Sequence, residues 1–95
     1  MSPLVPRPIG TVRWREIVTI EGTVRSVRAR PWAEEGASTL ECTVLDDSGG
    51  VEIVFLGRNT VPGIGLGTRI RAHGRVGAHH RRLAILNPVY ELVAD

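Results

Sequence analysis

Ninety-five residues, 42% of them hydrophobic and 23% charged, suit one globular domain with a modest core and exclude wholesale disorder. The apolar runs are too short for a transmembrane helix and the opening MSPLVPRPIG lacks a signal peptide's apolar core, so a soluble, cytoplasmic protein without a membrane partner is expected. One cysteine excludes an internal disulfide framework and a cysteine-based zinc cluster, and a net charge of +2 leaves the partner to be read from charge placement.

Residues 1–16 read as an extended lead-in, with three prolines in the first ten positions and a short helical turn over Val12–Glu16. From Ile17 the period becomes two: Val18, Ile20, Gly22 and Val24 alternate with Thr19, Glu21, Thr23 and Arg25, giving a strand to about Arg30. Gly22 sits where such a strand would coil. Pro31–Ala37 is a loop carrying Trp32. The second strand, Ser38–Asp46, places Leu40, Cys42 and Val44 on one face, and in that row Cys42 is a small buried hydrophobe, not a nucleophile.

Asp47-Ser48-Gly49-Gly50 is a hairpin turn, followed by a third strand over Val51–Leu56. It turns Val51, Ile53 and Phe55 inward and Glu52, Val54 and Leu56 outward. Pro62, Gly63, Gly65 and Gly67 bar a stable helix from Arg58–Gly67. The fourth strand, Thr68–Val76, faces Ile70, Ala72 and Val76 inward and Arg69, Arg71, His73 and Arg75 outward. After a loop over Gly77–Arg82, a fifth strand carries Leu83 and Ile85 inward and runs past Pro88 to about Val93. The predicted fold is an all-β, five-stranded barrel with little or no helix, a single domain over residues 17–95.

Charge is segregated along the chain. Residues 22–32 hold Arg25, Arg28 and Arg30 and no acid; residues 33–56 hold Glu34, Glu35, Glu41, Asp46, Asp47 and Glu52 and no base. Residues 57–82 return to Arg58, Arg69, Arg71, Arg75, Arg81 and Arg82 with no acid. All twelve basic residues are arginine, a bias that base composition explains as well as phosphate binding does. No paired carboxylates, Ser–His–Asp spacing or phosphate-cradling glycine loop is present, so no enzyme is expected. His79 and His80 are adjacent and cannot both point at one ion in the usual spacing, so neither a metal nor a cofactor is expected.

Taken in order, VTIEGTVRSVRAR, LECTVLDDSGGVEIVFLG, GTRIRAHGRV and LAILNPVYEL resemble the nucleic-acid-binding branch of the OB-fold, a Greek-key barrel, over roughly residues 17–93. The pattern is similar to the anticodon-binding domains of tRNA synthetases and to the wedge domain of the bacterial fork-reversal helicase. It also looks like small stand-alone actinobacterial OB-fold proteins with an LG…PGI…G linker and an NPxYE ending. The resemblance implies non-catalytic binding of single-stranded or branched DNA, or of RNA.

The outward positions of strands two and three depart from that pattern, with Glu41 and Glu52 and no aromatic residue. The expected binding face therefore follows the arginines. Arg25, Arg28 and Arg30 of the first strand would approach Arg69, Arg71 and Arg75 of the fourth, with His79, His80, Arg81 and Arg82 in the loop beyond. The same residues also suit a merely solvated basic surface. Trp32 either stacks on a base or packs over the barrel end, and Trp14 would pack the lead-in onto the barrel. A different class of reading is an adaptor that docks on protein, or on a second copy, through Val54 and Leu56, unless the lead-in covers them.

Overall fold

The computed structural model describes residues 5–31, 38–58 and 60–94. Six strands follow the period-two segments: β1 (Ile17–Pro31), β2 (Ser38–Asp46), β3 (Gly49–Leu56), β4 (Arg69–His79), β5 (Arg82–Leu86) and β6 (Val89–Leu92). They pair in the cyclic order β1-β2-β3-β5-β4 and back to β1, so the sheet closes on itself; only the β3–β5 contact is parallel. The fifth strand of the sequence reading is β5 and β6 together. Both lie antiparallel on β4, and the register slips by one residue between Ile85 and Val89, where Asn87 takes a positive φ of 47° and Pro88 has no N–H to pair.

Closure needs one strand long enough to serve two neighbours. β1 does this: residues 17–23 pair with β4 and residues 23–31 with β2. Gly22 lies at the changeover, where a Cβ would stand 2.5 Å from the Leu45 carbonyl oxygen and 2.8 Å from Val44 Cγ1. The inward rows fill the interior as their alternation demands: Val18, Ile20, Val24, Leu40, Cys42, Val44, Val51, Ile53, Phe55, Ile70, Ala72, Val76 and Ile85 are all buried. Burial, then the nearby Glu52 charge, pushes the Cys42 thiol up to about 11, so it stays an unreactive hydrophobe. Tyr90 meets Phe55 edge-on at 5.6 Å and donates its hydroxyl proton to the Pro62 carbonyl.

Leu83 has the inward phase but is 39% exposed, because it pairs with Ala78 on the β4–β5 hairpin beyond the stretch of β4 that β1 covers. Val54 has the outward phase yet is 0% exposed, walled in by Glu41 of β2 and Leu86 of β5. It cannot be a docking contact, and Leu56 beside it is only half-buried. The turn of helix lies at Ile9–Thr11 rather than Val12–Glu16, and Val12 is extended. Ile9 and Val12 join the core, while Trp14 stays 58% exposed under the Arg15 guanidinium, 4.4 Å from its ring centre. The described part of the lead-in, from Val5 on, docks on β1 and the β2–β3 hairpin: Arg7 N–H donates to the Thr19 carbonyl and Gly10 N–H to Ser48 Oγ.

Asp46 is the clasp of that hairpin. Its carboxylate accepts four hydrogen bonds, from the N–H groups of Ile9, Ser48 and Gly49 and from Ser48 Oγ–H. Burial acts to raise its pKa, but these bonds outweigh it and hold the group below its ordinary value. Its stabilising contribution is therefore complete above the unfolded-state value and is lost as pH falls through the depressed folded one. Asp46→Ala is expected to cost about 1–3 kcal/mol in urea denaturation at neutral pH. The difference from the natural chain should shrink once the pH falls below the carboxylate range.

Candidate functional site

A break in alternation builds the site. Val24 faces Val44 but Ser26 faces Thr43, which leaves Arg25 as an extra, bulged residue. Unbroken alternation would turn Arg28 and Arg30 into the interior; the bulge sends Ser26, Arg28 and Arg30 to the outer face instead. There they border a groove of about 230 Å3, floored by Glu41, Thr43 and Glu52 of β2 and β3 and closed on its far side by His79, His80 and Arg82. A second depression of about 530 Å3 shares Arg30, Glu41, His79 and His80 and extends toward Thr39, Leu56 and Leu86.

The far wall is the β4–β5 hairpin, which turns in two residues. His79 pairs with Arg82, leaving His80 and Arg81 at the corner with φ of 50° and 68°. Positive φ at both corner residues suits the twist of a hairpin but is costly for side chains bearing a Cβ. It also takes His80 out of strand alternation, so that its ring lies beside that of His79, centres 4.2 Å apart.

Glu41 organises the groove, a role the sequence did not suggest. Its carboxylate is only 8% exposed; Oε1 accepts from Arg30 Nε–H at 2.8 Å and Oε2 from His79 Nε2–H at 2.7 Å. Burial opposes its charge, yet the His79 hydrogen bond and the Arg30 guanidinium together hold its carboxyl below the usual carboxylate range. Arg82 stands 3.6 Å from Glu52. Arg28 and Arg81 are exposed and have no ion pair among the described residues. Trp32 lies outside the described residues.

The other predicted arginines are elsewhere. Arg71 is hydrogen-bonded to Glu21 at 2.8 Å and to Glu91 at 3.0 Å, and Arg69 to Glu21 at 3.0 Å. Arg71 is the chief reason that the Glu21 carboxyl lies below its ordinary pKa. Arg75 donates to the Arg15 carbonyl, and Arg25 borders Asp46 and Asp47. Arg25 does approach the β4 set, lining one depression with Arg69, but Arg28 and Arg30 do not, because they lie beyond residues 17–23, where β1 pairs with β4.

A closed sheet with a groove across its second and third strands, bordered by the far half of β1 and by the β4–β5 hairpin, is the arrangement by which OB-folds bind oligonucleotides and oligosaccharides. A family model for the OB-fold nucleic acid binding domain, of the tRNA anti-codon type, matches residues 18–95. The chain belongs to this family.

Solved structures resemble it in shape more than in sequence. The solution structure of the replication factor A related protein from Methanobacterium thermoautotrophicum superposes with a TM-score of 0.71 at 15% identity, covering 97% of this chain and 94% of that one. The p204 HINb domain gives 0.69 at 16% identity, covering 94% of this chain and 47% of that one. No curated protein matches by sequence. Among the described residues, no helix of this OB-fold domain is long and apolar enough to cross a membrane.

Proposed function

We propose that this OB-fold domain binds single-stranded nucleic acid, as a free strand or at a branch, in the groove between Arg28 and the His80–Arg81 corner, without catalysing a reaction on it. The observation that carries the reading is the convergence of Arg28, Arg30 and Arg82 from two separate hairpin arms on one groove. Its acids face partners of their own, Glu41 on Arg30 and His79 and Glu52 on Arg82, so Arg28 and Arg81 are left to attract phosphate. Family membership supports the same ligand class. A single strand suits a narrow concave groove, and this fold has no α-helix among its described residues to enter a duplex major groove.

Trp32, between β1 and β2 in the sequence, is the base stacker in this reading, and the arginines of β4, engaged with Glu21 and Glu91, play the smaller part. The test is binding of labelled single-stranded DNA, duplex DNA and RNA of one sequence at two salt concentrations. Single strands are expected to bind more tightly than duplex and to weaken steeply with salt. Trp32→Ala should cost about 1–3 kcal/mol of affinity with the salt slope unchanged. Absence of binding to all three at low salt would overturn the reading in favour of a protein adaptor.

A further inference from the structure

The Glu41 corner of the groove holds a second kind of chemistry. Glu41 Oε2 lies 2.7 Å from His79 Nε2 and 3.7 Å from His80 Nε2, and the ligand atoms of the three residues all lie within 4.8 Å of one another. Glu41 is buried, His79 half-buried and His80 exposed, so the cluster is anchored at one end and open to the groove at the other. We propose that Glu41, His79 and His80 form a binding site for a divalent transition-metal ion of the zinc class.

The donor set selects the ion. Two imidazole nitrogens and one carboxylate oxygen suit zinc and its neighbours, whereas magnesium and calcium favour all-oxygen sites. Ligands at about 2.0–2.1 Å from a tetrahedral ion stand about 3.3 Å apart. The 2.7 Å contact must therefore open slightly and the 3.7 Å contact close slightly, and the two ring nitrogens, within 4.8 Å of each other, must also settle near that spacing, changes within reach of side-chain rotation. The ion takes the place of the Nε2 proton of His79, which leaves to solvent.

Arg30 supplies the outer support: its bond to Oε1 fixes the carboxylate plane and leaves Oε2 directed at the two rings. Three protein ligands leave a fourth position facing the groove. Adjacent histidines rarely share an ion because strand alternation points them apart, and here the left-handed backbone at His80 removes that obstacle. The site stands whether or not nucleic acid binds beside it.

The experiment is a titration of the full chain with zinc chloride by isothermal calorimetry, together with cobalt(II) followed by its visible absorption. One equivalent should bind at micromolar concentration or tighter, with the intense d–d bands of low-symmetry cobalt. His79→Ala and His80→Ala should each weaken binding at least about tenfold, and Glu41→Gln likewise. His73→Ala should leave binding unchanged, since that ring lies on β4 away from the groove, bonded to Thr19 at 2.8 Å. Circular dichroism would show that each variant folds, and the exposed His80 gives the safest one. Binding weaker than micromolar, or binding weakened equally by His73→Ala, would overturn the proposal.

Discussion

Gly22→Val is expected to destabilise the domain by at least about 3 kcal/mol, a large share of the stability of a chain this size. Even the first added carbon would lie 2.5 Å from the Leu45 carbonyl oxygen, and that oxygen belongs to β2 backbone that cannot swing aside. β1 changes partner from β4 to β2 at this point, so relief would require the ring of strands to open. Gly22→Ala should show a smaller loss of the same origin. Gly65→Ala is the control: nothing lies within 4 Å of its added carbon, and its stability should change little. Urea denaturation of the three variants measures the contrast. Equal midpoints for Gly22→Ala and Gly65→Ala would show that the strand crossover yields more easily than its close packing implies.

The second large effect concerns binding. Arg28→Ala, Arg81→Ala and Arg82→Ala combined should lower affinity for single-stranded DNA by about 10–100-fold at low salt. They should also flatten the salt dependence by up to about two, at roughly 0.7 for each phosphate no longer neutralised. Arg28 and Arg81 hold no ion pair among the described residues, and Arg82 only a 3.6 Å one, so the triple variant should fold normally. Arg25→Ala with Arg75→Ala removes basic groups of the other set and should leave the salt slope unchanged. A slope reduced equally by both sets would mean that phosphates cross β4 as well and that the groove is not the track.

Alternation, glycine and proline were enough to read the strands, because each is a local matter: a residue's face in a strand depends only on its neighbours' phase. Val18, Ile20, Leu40, Ile53 and Ile70 were legible as core for that reason, and the glycines and Pro62 of residues 58–67 barred a helix without reference to anything distant. The order and spacing of these elements resembled an OB-fold, and the chain belongs to that family. The site was less legible because charge neighbours are set by register, which one strand does not contain. Blocks of arginine without an acid looked like one basic face; pairing put Glu21 opposite Arg71 and Glu91 beside it, and Glu41 under Arg30. One bulged residue, Arg25, decided which way Arg28 and Arg30 point. A left-handed corner at His80 brought together two imidazoles that strand alternation would have separated, over a glutamate 38 residues from His79 in the chain. Phase is a property of the chain, but register, bulges and turn handedness arise only when the strands close on one another.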